Sequence, residues 1–146
     1  MKKIQFSVNI NASPEKTWET LWDDISYRRW TSAFTEGSYA VSDWKEGSRI
    51  QFLSPSGEGM YSVITKKIPN EFMSFKHIGV IKEGKEMPLD DESKKWSGAM
   101  ENYKLEGNPS LTKLSVEMDV DENYLDYFNE TFKKALDIVK EISEGK

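Results

Sequence analysis

Apolar and polar residues alternate at the start of the chain. Ile4, Phe6, Val8 and Ile10 are each separated by one polar residue. Successive side chains of a β-strand point to opposite faces, so a period of two places these four residues on one buried face. The pattern predicts a first strand over residues 3–11.

Helical spacing replaces this alternation directly after the strand. Ser13 can cap a helix by accepting a backbone N–H, and Pro14 is tolerated at the first helical position. Apolar residues then recur as one helical stripe, which consists of Trp18, Leu21, Trp22 and Ile25. A second short helix is predicted over residues 27–32, with Trp30 facing the interior.

Short β-rich runs separated by turn sequences occupy the middle of the chain. Glycine, proline and asparagine mark the turns, for example Pro69-Asn70, and such punctuation is typical of an antiparallel meander. The predicted strands are 38–44, 49–54, 59–68, 71–81, 96–106 and 111–119. Residues 81–95 are polar and have no period, so we expect a mobile surface loop there.

The chain ends with the pattern of a long amphipathic helix over residues 122–143. Asp121 is a plausible N-cap, and Glu122 suits the positive end of the helix dipole. The predicted buried stripe comprises Leu125, Phe128, Phe132, Ala135, Leu136, Val139 and Ile142. No repeat, second domain or linker is visible, so residues 1–146 are predicted to form a single domain.

These elements predict an α+β helix-grip fold. A sheet and an amphipathic helix must cover each other's apolar faces. We therefore expect a curved antiparallel sheet of six to seven strands around the long C-terminal helix, with two short helices after the first strand. Such a sheet seldom closes completely on one helix, and the gap would form a pocket.

Composition narrows the function classes. The chain has no cysteine and one histidine, which excludes disulfides, thiolate catalysis and cysteine-ligated metal sites. The net charge of -5 argues against nucleic acid, because phosphates require a basic face. No stretch approaches the roughly 20 apolar residues of a membrane helix. We predict a cytoplasmic protein with no metal, no cofactor, no nucleic-acid partner and no membrane insertion.

Antiparallel pairing across the Pro69-Asn70 turn predicts which strand residues face the pocket. That face would carry Arg49, Gln51, Leu53, Tyr61, Val63, Thr65, Met73, Phe75, His77, Ala99, Glu101, Tyr103, Leu105, Leu114, Val116 and Met118. The opposite face would carry Ile50, Phe52, Met60, Ile64, Phe72, Ile78, Trp96 and Met100. A β-bulge would reverse the assignment beyond it.

The predicted ligand-binding residues follow from this face and from the helices. Trp30 and Phe34 are candidates for the cavity mouth, and Phe128 and Phe132 for the helical wall. The complete set is Trp30, Phe34, Tyr61, Val63, Phe75, His77, Glu101, Tyr103, Phe128 and Phe132. Trp18 and Trp22 are expected to close the core, and the small residues Ala99 and Gly79 indicate room in the sheet.

His77 and Glu101 are the candidate catalytic pair. A carboxylate beside an imidazole holds the ring and raises its basicity, which suits a general base. Tyr61 or Tyr103 could then donate a hydrogen bond to a substrate carbonyl, as enolisation or cyclisation would need. The alternative is an ordinary cross-strand pair that only orients a ligand.

Several segments resemble the START-like (Bet v 1-like, SRPBCC) superfamily, and within it the activator of heat-shock protein 90 ATPase homologue-like group. The similar segments are residues 12–18 (ASPEKTW), 68–72 (IPNEF), 75–79 (FKHIG), 101–105 (ENYKL) and 122–128 (ENYLDYF). The resemblance implies a helix-grip fold with a hydrophobic cavity. Members of this superfamily include lipid carriers, hormone receptors, polyketide cyclases and co-chaperone domains.

Three functions are therefore carried forward. The first is a carrier or sensor that binds a small hydrophobic molecule, such as a lipid. The second is a polyketide cyclase- or hydrolase-like enzyme that uses His77. The third is a co-chaperone module that activates a chaperone ATPase. The ligand and the oligomeric state are not fixed by the sequence.

Overall fold

A computed structural model describes residues 1–145 of the chain. The strands are β1 (Lys2–Ile10), β2 (Tyr39–Val41), β3 (Arg49–Leu53), β4 (Gly59–Ile68), β5 (Phe72–Lys82), β6 (Lys85–Glu86), β7 (Met100–Asn108) and β8 (Leu111–Val120). The helices are α1 (Pro14–Trp22), α2 (Asp24–Thr31), α3 (Asp91–Lys94) and α4 (Leu125–Ser143), and a 3₁₀ turn (Glu122–Tyr124) precedes α4.

The strands form one antiparallel sheet in the order β1-β8-β7-β5-β4-β3-β2, with β6 paired to β5. The α+β helix-grip prediction is confirmed, including the two short helices after the first strand. The sheet has eight strands instead of six to seven, because the segment after β5 turns back and adds β6.

The first short helix, α1, begins with a favourable capping sequence, whereas Asp23 before α2 makes no side-chain capping hydrogen bond. The Ser13 hydroxyl accepts the Lys16 backbone N–H at 3.1 Å, and Pro14 follows at the first helical position. Asp23 ends α1 in an extended conformation and is also the residue before α2. The resulting bend lets Trp30 Nε1 donate to the Leu21 carbonyl at 3.0 Å, which fastens α2 to α1.

The long helix α4 covers only part of the concave sheet face. It packs against β1 and against the two short helices, and the Phe132 ring stacks on Phe6 of β1 with centroids 5.1 Å apart. Its buried residues are Thr131, Phe132, Ala135, Leu136, Val139 and Ser143. The half of the sheet formed by β3, β4 and β5 is left to face α2 across a gap.

The predicted faces of β3 and β4 are wrong. Ile50 and Ile64 are fully buried, whereas Arg49 and Thr65 are exposed. The register between β4 and β5 shifts twice, between Tyr61 and Ser62 and between Ile64 and Lys66. These irregularities reverse the assumed parity. Residues predicted to face inward that lie on the outer face are Arg49, Gln51, Tyr61, Val63 and Thr65.

The predicted loop over residues 81–95 contains regular structure instead. Glu83 and Gly84 both have positive φ and form the turn between β5 and β6. Asp90 then caps α3 through a reciprocal capping box with Ser93. Among residues 1–145, no helix is long and apolar enough to cross a membrane.

Candidate functional site

A cavity of about 600 Å³ lies between the sheet, α2 and α4. Its floor comes from β5 and β7, one wall from α2 and the other from α4. Almost half of the lining residues are aromatic. The aromatic members are Trp22, Tyr27, Trp30, Phe34, Tyr39, Phe52, Phe75, Trp96, Tyr103, Tyr124, Tyr127, Phe128 and Phe132.

The structure brings eight of the ten predicted ligand-binding residues to this cavity. They are Trp30, Phe34, Phe75, His77, Glu101, Tyr103, Phe128 and Phe132. Trp30 lies deeper than predicted, because its side chain is 2% exposed and bonds to α1. Trp22 also lines the cavity, whereas it was predicted only to close the core.

Tyr61 and Val63 lie on the opposite side of the sheet from the cavity. The Tyr61 hydroxyl donates to the Met87 carbonyl at 2.8 Å. The Tyr61 ring occupies the space above Gly79, where an added Cβ would lie 2.6 Å from the hydroxyl oxygen. Gly79 therefore makes room for Tyr61 on the outer face, and not for a ligand.

A row of four polar side chains crosses the inner face at the cavity floor. Ser62 Oγ lies 2.7 Å from His77 Nδ1, and His77 Nε2 lies 3.0 Å from Glu101 Oε1. The Tyr103 hydroxyl donates to the other carboxylate oxygen, Oε2. Ser62, His77 and Tyr103 are buried. Their positions follow from the register, which pairs Ser62 with His77 on neighbouring strands.

The charge of Glu101 acts on the two tyrosines beside it. Burial raises the pKa of Tyr103 well above its ordinary value, and the negative charge of Glu101 raises it further. Burial also raises the pKa of Tyr27, with Glu101 adding to the effect. Both hydroxyls therefore remain protonated at neutral pH and are available as hydrogen-bonding groups.

The polar row contains the residue types of a nucleophilic triad, namely a serine, a histidine and a carboxylate. A working triad also needs a serine hydroxyl that a substrate can reach, and Ser62 does not meet this condition. Ser62 is fully buried and is not among the residues that line the cavity, so its hydroxyl cannot reach a ligand. Both ring nitrogens of His77 are within hydrogen-bonding distance of protein atoms. The arrangement favours His77 as the group that orients Glu101, and Glu101 as the polar group presented to the cavity.

Sequence reasoning missed several lining residues. Tyr27 lies three positions before Trp30 on α2, and this i, i+3 spacing could have identified it as a member of the same inward stripe. Phe52 and Met60 were assigned to the outer face because the β4 bulges have no signal in the apolar pattern. Tyr124 and Tyr127 are exposed at the rim, where only the packing of α4 could have revealed them.

The aromatic residues of the inner wall form one contact cluster. The Trp22 ring lies 5.0 Å from Tyr103 and 5.4 Å from Phe75, both nearly edge-on. The Tyr27 ring lies 5.4 Å from Trp30 in the same kind of arrangement. Edge-to-face contacts of this type favour fixed ring orientations, so the inner wall has a defined shape.

Known proteins with a similar structure span the whole chain. The Aha1 dimer from Colwellia psychrerythraea, solved in solution, has a TM-score of 0.74 at 24% identity, over 99% of this chain and 98% of that one. CalU16 from Micromonospora echinospora has a TM-score of 0.68 at 18% identity, over 98% of this chain and 74% of that one. DynU16, a protein of the dynemicin biosynthetic locus, has a TM-score of 0.72 at 11% identity, and this chain covers 49% of it.

No protein-family model matches the sequence, and no curated protein matches it either. The structural similarity therefore establishes the fold, which is START-like (Bet v 1-like) and similar to that of the Aha1 protein.

Proposed function

We propose that this START-like domain is a cytoplasmic carrier or sensor that binds a small, largely apolar molecule in the cavity between the sheet and α4. The observation that carries the proposal is the cavity of about 600 Å³ with its aromatic lining and one polar row at the floor. Small-molecule sites in proteins have this size and this combination of an apolar wall with a few fixed polar groups.

The polar row supports recognition more than turnover. His77 is held between Ser62 and Glu101, and Tyr103 fixes the second oxygen of the same carboxylate. A carboxylate held on both sides is preorganised to orient a ligand. The two alternative functions, an enzyme that uses His77 and an activator of a chaperone ATPase, remain predictions from the sequence.

The first experiment is native mass spectrometry of the purified chain, followed by titration with the uncharged dye N-phenylnaphthylamine. We expect either a retained small molecule or a rise in dye fluorescence on binding. Absence of both would contradict the proposal, because an apolar cavity of this size takes up an apolar dye.

Cavity-filling variants locate the binding. Ala99 lines the cavity and is 4% exposed, so Ala99→Phe should fill the space and weaken dye binding by about tenfold or more, equivalent to about 1.4 kcal/mol. Met60→Trp provides a second filling variant on another strand. Ser7→Phe adds the same ring at an exposed position of β1 and should bind the dye as the wild type does. Equal binding by folded Ala99→Phe and Met60→Trp would place the dye elsewhere.

A further inference from the structure

The charged side chains that line the cavity are acidic. Glu101 lies at the floor, and Glu58, Asp119 and Asp121 also belong to the lining, whereas no lysine or arginine lines the cavity among residues 1–145. Ligands with a carboxylate or phosphate would meet only negative charge there. The lining therefore selects against anions before any specific contact is considered.

Two of these carboxylates have local structural partners. Asp119 Oδ2 accepts the Met100 backbone N–H at 3.0 Å, and Asp121 Oδ1 accepts the Asn123 N–H at 2.9 Å. Glu101 differs because its partners are both side chains at the cavity floor, namely His77 and Tyr103. A carboxylate has about four lone-pair positions, so Glu101 retains capacity to accept hydrogen bonds from a ligand.

The Tyr27 hydroxyl is a second polar group at the same place. Tyr27 is 6% exposed and lines the cavity, and its hydroxyl has no hydrogen-bond partner among residues 1–145. The Tyr27 and Tyr103 rings both pack against the Trp30 indole, with centroids 5.4 Å and 6.4 Å from it. The Tyr27 hydroxyl oxygen is not among the fully buried unpaired polar atoms of residues 1–145, so it is accessible from the cavity and can accept a hydrogen bond from a ligand.

Aromatic rings surround this acidic floor. Trp22, Trp30 and Phe75 line the cavity together with the two tyrosines. Ring faces attract cations through their quadrupole, and the attraction strengthens when water is excluded. A carboxylate, a hydroxyl oxygen and aromatic walls together form the surroundings that suit an ammonium group.

We propose that the ligand is an apolar molecule that carries a protonated amine, and that this amine donates hydrogen bonds to the Glu101 carboxylate and the Tyr27 hydroxyl oxygen. The inference rests on the proposed function, because it names the class of molecule that the cavity binds. Glu58, Asp119 and Asp121 attract such a cation toward the cavity, and its apolar part packs against the rings of α2 and α4.

The test is competition for the dye by three eight-carbon molecules that differ in their head group: octylamine, octanol and octanoate. At neutral pH they are cationic, neutral and anionic. We expect octylamine to displace the dye at least about tenfold more effectively than octanol, which matches the gain from hydrogen bonds between charged groups. Octanoate should be the weakest competitor.

Three variants assign the preference to the proposed contacts. Glu101→Gln keeps the shape and hydrogen-bonding capacity of the side chain but removes its charge, so the preference for amine over alcohol should fall below about threefold. Tyr27→Phe removes one neutral hydrogen-bond acceptor, so it should reduce the preference for amine over alcohol by a smaller factor than Glu101→Gln does. Glu106→Gln is the matched control on the same strand, because Glu106 is exposed and paired with Lys104 outside the cavity.

The possible outcomes distinguish a failure of the amine proposal from a failure of the proposed ligand-binding function. If the wild type binds the dye but octylamine is no better than octanol, or if none of the three competes, the amine proposal is wrong and the cavity function stands. A preference that survives in both Glu101→Gln and Tyr27→Phe overturns it as well. If the wild type binds neither dye nor retained ligand, both proposals fail.

Discussion

The Ser62 hydroxyl oxygen lies 2.7 Å from Nδ1 of His77, and the opposite ring nitrogen lies 3.0 Å from Glu101. The imidazole is therefore held at both nitrogens. Because Ser62 does not line the cavity, it influences the site only through His77. A buried side chain on β4 thus fixes the carboxylate that β7 presents to a ligand.

Replacing Ser62 tests this coupling. In Ser62→Ala, Nδ1 of a buried imidazole loses its partner, and an unsatisfied buried polar group costs about 1–3 kcal/mol. We expect the free energy of unfolding to fall by that amount in urea denaturation. Ser7→Ala removes a hydroxyl from an exposed strand position and should change stability by less than about 0.5 kcal/mol. A Ser62→Ala effect no larger than this control would show that the Ser62–His77 contact contributes nothing.

The two buried tyrosines predict a loss of stability at high pH. Burial raises the pKa of both Tyr27 and Tyr103 in the folded state above the ordinary value of 10.0. A group with a raised folded pKa contributes its full stabilisation below the unfolded pKa. Above pH 10 the unfolded chain releases these protons while the folded chain retains them, so stability falls as pH rises.

The slope of the unfolding free energy against pH can be measured and assigned to the two tyrosines. Each retained proton lowers the unfolding free energy by about 1.4 kcal/mol per pH unit above the unfolded pKa. We expect urea denaturation between pH 9 and 11 to show a steeper decline for the wild type than for Tyr27→Phe/Tyr103→Phe. Lysines titrate in the same range in both proteins, so the difference isolates the tyrosines. Parallel declines would mean that the two hydroxyls ionise freely in the folded state.

Gly79 is predicted to be intolerant of a side chain. A Cβ at this position would lie 2.6 Å from the Tyr61 hydroxyl oxygen and 2.7 Å from two ring carbons. The ring must move and lose its bond to Met87, so Gly79→Ala should cost about 1–3 kcal/mol, as overpacking does. Thermal denaturation of Gly79→Ala beside Tyr61→Phe checks this. Tyr61→Phe keeps the ring and loses only the hydrogen bond, so it should cost less. The reverse order would refute the steric explanation.

Regular alternation and helical stripes made much of the fold predictable from the sequence. In β8, Leu114, Val116 and Met118 alternate with polar residues, and all three are buried as predicted. Strong one-sided patterns of this kind specify a face because a shift of one residue would bury the polar set. The long helix follows for the same reason, since its stripe repeats with the helical period.

The part of the site on β3 and β4 was not predictable in this way. Both faces of β4 carry apolar residues, so Tyr61 and Val63 fit an inward face as well as Ser62 and Ile64 do. The two register shifts depend on tertiary contacts, such as the space that Gly79 leaves for Tyr61. Three members of the polar row, His77, Glu101 and Tyr103, were predicted at the site. Ser62 was missed, because it reaches His77 through such a shift.

The last prediction concerns the end of α4. Glu144 Oε2 accepts the Asn11 backbone N–H at 2.8 Å and the Lys140 ammonium at 2.8 Å. Lys140 also donates to the Asn9 carbonyl at 2.7 Å. The Glu144 side chain is 6% exposed and that of Lys140 is 36% exposed, so the carboxylate at this junction is shielded from water while the ammonium remains partly exposed.

Removing the carboxylate should loosen that junction. Hydrogen bonds to charged groups contribute about 1.5–3 kcal/mol, so Glu144→Ala should lower the unfolding free energy by that amount. Glu141→Ala, at an exposed position of the same helix, should have an effect below about 0.5 kcal/mol. A double-mutant cycle with Lys140→Met measures the coupling, because neighbours in one network are not additive. Additive effects would show that Lys140 and Glu144 act on stability independently, each through its own hydrogen bond to Asn9 or Asn11.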